Sequence, residues 1–255
     1  MATKKGPVRA DTKRAAAAVP TIEFPRPFTT VDLAIFTVRS DALAVLLVQR
    51  PSDKNEPCPG MWALPGGFVN VDLDADLQAC ASRKLLEKTG VKSPYLEQLG
   101  SWGSAKRDPR GWSATHAYFA LISGQDVELA KGANAADVGW SKVDDLLLRK
   151  RLAFDHTQIL QAAVDRLRSK VEYTSLPAFL LTEPFTLPQL QHTYEIVLGR
   201  PVDKSGFRTR MIAADFLEEV GFVASDSNRP PMGYRLKDRS TPVVFPRTFS
   251  PRGGD

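Results

Sequence analysis

The stretch Gly66-Gly67-Phe68-Val69, followed after a polar interval by Arg83-Lys84-Leu85-Leu86-Glu87-Lys88-Thr89-Gly90-Val91, decides the fold of this 255-residue chain. Two glycines close a short extended segment, and Leu77, Ala81 and Leu85 then recur at i, i+4 and i+8. That period predicts a helix from about Asp74 to Lys88 with Gly90 as its stop. Upstream, Val31, Leu33, Ile35 and Val38 alternate, as do Leu43, Val45, Leu47 and Val48 beyond the Ser40-Asp41 turn, which predicts a hairpin. A polar, proline-rich loop from Pro51 to Pro59 leads into Met61-Trp62-Ala63-Leu64-Pro65. Downstream, Tyr95 to Trp102 and Thr115 to Ile122 are strand-like, with a short helix near Val143 to Leu148 and a longer one from about Asp155 to Val171.

The character changes after Tyr173. Phe185-Thr186-Leu187 opens a helix with Thr186 as N-cap and Leu190, Tyr194, Ile196 and Val197 on its apolar side. Gly199 to Asp203 makes a turn, and a second helix is expected from about Lys204 to Val220, burying Phe207, Met211, Phe216 and Leu217 before Gly221 closes it. Phe222-Val223, a polar loop from Ser225 to Pro231 and Tyr234-Arg235-Leu236 complete a hairpin. Helix, short turn, helix and hairpin is the order of a winged helix-turn-helix.

Composition narrows the classes. A hydrophobic share of 43% with 25% charged residues is that of a globular protein, and no apolar run approaches the roughly 18 residues of a membrane span. With no secretory h-region at the start, a cytoplasmic location is expected. Cys58 and Cys80 lack metal-site spacing and are expected to be ordinary thiols. Much of the net charge of +5 sits in the opening, where Lys4, Lys5, Arg9, Lys13 and Arg14 face only Asp11. Residues 1–22 are therefore expected as a disordered basic tail, either solvated or touching phosphate, with an organellar transit peptide as a further reading. His116, His156 and His192 are scattered, and no GxSxG, HExxH or P-loop pattern accompanies them, so nucleophilic catalysis has no support. Asp72, Asp74 and Asp76 alternate like the start of a calcium loop, but Leu77 stands where its glycine belongs and Arg83 where its glutamate belongs. Negative charge favouring a helix N-terminus explains them better.

The segment Gly66 to Val91 resembles the Nudix box, GX5EX7REUXEEXGU with U aliphatic, which holds magnesium on carboxylates at i, i+3 and i+4 of one helical face. Here those three positions are Lys84, Glu87 and Lys88, so the face carries +1 rather than −3. Two ammonium groups beside one carboxylate repel magnesium. The interval from Gly67 to Arg83 is also two residues longer than the pattern, and Ala75 stands where the upstream glutamate is expected. Farther on, Arg107-Asp108-Pro109-Arg110-Gly111 and Thr115-His116-Ala117-Tyr118-Phe119 are similar to the Nudix-related regulators of NAD metabolism, the NrtR group. The second half is similar to the same group in Phe185 to Gln191, Leu198 to Lys204, Phe207-Arg208 and Tyr234 to Leu236. The resemblance spans residues 24 to 240. It implies an α+β chain: a Nudix α/β/α sandwich over 23–153, a linker helix over 154–174, a winged helix-turn-helix over 175–242 and a tail over 243–255.

It further implies a homodimeric regulator, most simply a repressor, binding double-stranded operator DNA and sensing ADP-ribose or a related nucleotide, with no catalytic residue, metal or cofactor. The alternatives are a residual ADP-ribose pyrophosphohydrolase, a sugar-responsive regulator of the same build, and a winged-helix protein-interaction module. For the ligand, Arg107 and Arg110, with Asp108 between them, lie in a loop where guanidinium forks can grip a pyrophosphate. The plainer reading is a turn with solvated arginines. Trp62 and Phe68 are candidates to stack an adenine, against a role in the core. Arg50, Arg83 and Glu87 complete the candidate pocket, although Arg83 and Glu87 at i, i+4 also suit a simple helix pair. For DNA, Lys204, Ser205, Arg208, Thr209 and Arg210 fall outside the apolar set of the second helix, Thr186 and Gln189 open the first, and Arg229 and Arg235 belong to the wing. Solvated charges balancing Glu218 and Glu219 are the competing reading.

Overall fold

A computed structural model of the chain describes residues 25–92, 95–124, 127, 129, 135–149, 151–224 and 230–246. The basic tail and Arg229 lie outside the described residues. Strands β1 (Phe28–Arg39) and β2 (Ala42–Gln49) form the expected hairpin, and Ser40 and Asp41 adopt φ of 48° and 54°. A two-residue turn whose twist matches its strands requires two such left-handed residues. Next come β3 (Trp62–Ala63), β4 (Gly66–Phe68), helix α1 (Leu77–Thr89), β5 (Tyr95–Ser104), β6 (Ser113–Leu121), β7 (Asp137–Lys142), α2 (Val143–Arg149) and α3 (His156–Val171). The strands form one sheet of seven, in the order β3-β2-β1-β6-β5 with β4 on β1 and β7 on β2. The long β1 runs parallel to β6 and antiparallel to β2 and β4.

Alternation along β1 builds the two faces. Val31, Leu33 and Ile35 join Cys80, Ala81 and Leu85 of α1 in one cluster. Ala34 and Phe36 point the other way, toward Ile159, Leu160 and Ala163 of α3. Helix α1 starts at Leu77, three residues later than its apolar period suggests, because Asp76 caps it through Ala79 N at 2.7 Å. Asp74 is left outside the helix, where its carboxylate accepts from Asn70 N.

The helix expected as a linker is packed along its length. Ile159, Leu160, Ala163, Val164, Leu167 and Val171 of α3 are all buried, and α3 covers the sheet on one side while meeting the second half on the other. There a 3-10 turn (Leu176–Leu180) precedes α4 (Leu187–Leu198), α5 (Lys204–Ala213) and the wing strands β8 (Leu217–Phe222) and β9 (Met232–Leu236). Tyr194, fully buried on α4, packs edge-on against Phe207 of α5 at 5.1 Å and donates to Thr174 O at 2.7 Å. Three expectations fail in this half. Helix α5 ends at Ala213 and not near Val220: Asp215 turns to φ 50°, Phe216 inserts against Phe245, and Leu217 opens a wing strand. Gly221, expected as a helix stop, sits instead at a register shift between β8 and β9. The segment 243–246, assigned to the tail, is anchored to the fold: Phe245 is buried in the core, Phe245 N donates to Tyr173 O at 2.7 Å, and Val243 O accepts from Ser175 N at 2.9 Å, while Val244 and Pro246 face outward.

Candidate ligand cavity and nucleic-acid interface

A cavity of about 630 Å³ opens between the first strands and α1, within the range of small-molecule sites. Arg50, Phe68, Arg83, Arg107, Asp108 and Arg110 all line it. Trp62 and Glu87 are not among its lining residues. Trp62, on β3 beside β2, packs against the core and gives its carbonyl to Ala153 N at 2.8 Å, while Glu87 faces outward along α1 with 46% of its side chain exposed.

The arginines of the cavity divide by their partners. Arg107 has 6% of its side chain exposed and grips Asp155 with two bonds of 2.9 and 2.8 Å, with Asp32 at 3.5 Å. Asp155 is the N-cap of α3 but makes no side-chain cap bond, because its carboxylate is committed to Arg107. Behind it, His156 Nδ1 accepts from Leu64 N at 3.0 Å, which leaves Nε2 as the protonated nitrogen facing Asp32 at 3.4 Å. Burial opposes the charge on Asp32, yet His156, Thr115 and Arg107 outweigh it and hold the carboxyl below its ordinary range. Gly66 is required beside this group, since a Cβ there would stand 2.2 Å from Asp32 Oδ1. Arg50 is likewise engaged, with Pro57 O at 2.6 Å and Glu56 at 2.8 Å, and its guanidinium lies 5.0 Å from the ring centre of Phe154. Arg110 differs. It pairs with Asp108 at 2.7 Å, keeps 41% of its side chain exposed, and lies 5.4 Å from the ring centre of Phe68, which meets Phe28 edge-on at 6.0 Å. An exposed aromatic ring with a guanidinium over it is a surface on which a planar base can lie.

On α1, Arg83 donates to Asp74 at 2.7 and 2.6 Å and to Glu87 at 2.8 Å. The guanidinium holds the Asp74 carboxyl far below its usual range. Lys84 reaches Glu87 at 3.4 Å, and Lys84 and Lys88 both line the cavity. The magnesium that a Nudix box implies needs several anionic oxygens. The single box carboxylate, Glu87, is spent on Arg83 and Lys84, so this donor set does not fit the ion.

In the second half, Thr186 caps α4 by accepting from Gln189 N, while Gln189 Oε1 accepts from Thr186 N at 2.7 Å. Thr186 is buried and Gln189 exposed. On α5, Lys204, Ser205, Arg208 and Thr209 are exposed on one surface, and Thr209 Oγ1 donates back to Ser205 O at 3.0 Å. Arg210 is half-buried instead, on the side of α5 near Tyr194 and Glu172, and burial lowers its pKa. Arg235, on the wing, pairs through two bonds with Glu218 at 2.8 and 2.9 Å.

Comparison with known proteins places both halves. Residues 29–163 match the NUDIX domain and residues 177–236 match the NrtR DNA-binding winged helix domain. The ADPR responsive transcriptional repressor NtrR of Acinetobacter baylyi is 46% identical over 225 residues, 88% of this chain and 88% of that repressor. This chain belongs to the NrtR family. Among solved structures, Shewanella oneidensis NrtR complexed with a 27mer DNA is 43% identical, covers 86% of this chain and 98% of its own, and superposes with a TM-score of 0.78. The NUDIX domain of the same NrtR, complexed with ADP ribose, is 44% identical over 56% of this chain and 90% of its own, with a TM-score of 0.51.

Within this NrtR fold, sequence reasoning missed the buried network beneath the cavity. Asp32 carried a signal, a carboxylate interrupting the apolar run Val31 to Phe36, which demands a buried partner. Asp155 and His156 carried none: 48 residues separate Asp155 from Arg107, and no period links them. The box pattern marks Lys84 and Lys88 as positions where metal ligands are missing, and only the fold shows that both line the cavity.

Proposed function

We propose that this chain is a transcriptional repressor of NAD metabolism genes that binds operator DNA through α5 and the wing and is released by ADP-ribose bound in the cavity of its Nudix domain, without hydrolysing it. The observation that carries the reading is the exposed surface of Lys204, Ser205, Arg208 and Thr209 on a helix whose Phe207 shares one continuous core with the cavity-bearing sheet. Such a surface suits phosphates and base edges of a major groove. In the cavity, Phe68 and Arg110 take the base, Asp108 orients Arg110, and Arg107 with Arg83 and Arg50 keeps the walls in place. Loss of catalysis follows from the donor set of α1, since one carboxylate shared between two cations assembles no metal-activated water. Two copies joined through their Nudix domains present two winged helices to half-sites one DNA turn apart, about 34 to 36 Å.

A mobility-shift experiment with DNA from upstream of NAD synthesis or salvage genes tests this reading. A salt-sensitive complex that survives excess competitor DNA and dissolves on addition of ADP-ribose is expected. Steady release of AMP from ADP-ribose with magnesium, abolished by Glu87→Ala, would overturn the non-catalytic part.

A further inference from the structure

Helix α1 brings positive charge to the place where a Nudix box holds its metal. Each arginine lining the cavity has a close carboxylate: Asp74 for Arg83, Asp155 for Arg107, Glu56 for Arg50 and Asp108 for Arg110. Two lysines of α1 add their charge to the same wall. Lys84 shares Glu87 with Arg83 and stands 3.4 Å from it, longer than the 2.7 to 2.9 Å typical of a charge-assisted bond. Lys88 lies one turn further along on the same cavity wall, where burial first and then the charge of Lys84 lower its pKa against the opposing pull of Glu87. Gly67 opens the space beside Lys84: its φ of 149° and a distance of 3.4 Å from its would-be Cβ to Lys84 Nζ leave that ammonium against bare backbone at the cavity wall. Two like charges on one wall of a partly enclosed site, one turn apart on α1, are stabilised by an anion that enters between them.

Resting on the sensor reading given above, we infer that the cavity holds the diphosphate of its ligand without a metal ion, on the ammonium groups of Lys84 and Lys88 in place of the cation. The lysines supply from the protein the positive charge that a magnesium ion supplies in a hydrolase. They bind the ground state but activate no water, so one exchange of charge on α1 accounts for retained binding and absent turnover together. The specificity that follows is for ligands with two linked phosphates over a nucleoside with none.

Calorimetric titration of ADP-ribose into the full chain, once with excess EDTA and once with magnesium, tests this without any variant. The wild type is expected to bind with the same Kd, within about twofold, in both buffers, and inorganic pyrophosphate is expected to compete in EDTA. Lys84→Gln with Lys88→Gln should weaken binding in EDTA at least about tenfold, whereas Lys84→Arg with Lys88→Arg should retain it; adenosine binding should shift less than ADP-ribose binding in the glutamine pair. Wild-type binding that appears only with magnesium overturns the inference and leaves the sensor reading standing, as does a glutamine pair that keeps its melting temperature and binds like the wild type. No ADP-ribose binding in either buffer overturns the sensor reading, and the inference with it.

Discussion

The arginines of the cavity look alike in the sequence and differ in what their removal should do. Arg107 is buried against Asp155 and Asp32, so Arg107→Ala leaves two carboxylates without their cation, a change of the kind that costs about 3 to 5 kcal/mol. A clear fall in melting temperature is expected, and an unchanged one would show that the ion pair contributes nothing. Arg110 is exposed over Phe68 but is also the cation of buried Asp108, so Arg110→Ala should lower the melting temperature less than Arg107→Ala does, while weakening ADP-ribose by about tenfold in calorimetry. Asp74 adds a pH dependence. Its folded pKa lies below the unfolded carboxylate value, held there first by Arg83, so its contribution is fully present above the unfolded value and is lost as pH falls from there through the folded pKa. Wild-type protein should therefore lose stability in acid more steeply than Asp74→Asn, compared by denaturant titration at neutral and acid pH. At this scale the sequence pointed to Arg50, Phe68, Arg83, Arg107, Asp108 and Arg110 at the cavity, placed Trp62 and Glu87 there although they do not line it, and told few of the partners. Arg83 with Glu87 was legible because four residues separate them on one helix. Arg107 with Asp155 was not, because only the sheet brings them together.

Elements were legible where a cap and a period agree. The α4 start, with Thr186 and Gln189 capping each other, and the α1 stop at Gly90 follow from residue chemistry alone. The end of α5 did not, since Phe216 and Leu217 continue the apolar pattern of the helix although Asp215 has already turned the chain toward the wing. Local pattern cannot separate a helix face from a hairpin that docks on the same core. The capping pair and the basic surface of α5 make different predictions. Thr186→Ala removes a buried cap and should cost about 1 kcal/mol of stability, read as a lower denaturation midpoint. Lys204→Ala with Arg208→Ala should weaken operator binding and flatten its dependence on salt, by a slope of about one for each phosphate that the variant no longer neutralises. If that double variant binds operator as tightly as the wild type at every salt concentration, α5 is not the helix that enters the groove.

For the whole molecule, a ligand in the cavity beside α1 must act on a wing that lies in the other half of the chain. The described contacts form a continuous route. The loop that carries Arg110 also carries Arg107, Arg107 holds Asp155 at the start of α3, and the other end of α3 is tied to the DNA-binding half. There Arg168 donates to Val197 O at 3.1 Å and Arg200 pairs with Glu172 at 2.7 Å. A separate contact, His192 with Asp41 at 3.0 Å, joins α4 to the β1–β2 turn. A ligand that binds the released arrangement better than the DNA-bound one shifts the balance by its difference in affinity, and the coupling must be reciprocal. The most direct measurement titrates ADP-ribose into a fluorescent operator complex and, separately, into the free chain and the operator-saturated chain by calorimetry. The account predicts that saturating ADP-ribose weakens operator binding and that operator weakens ADP-ribose binding by the same factor. Operator affinity that stays constant while calorimetry shows the cavity filled would contradict it.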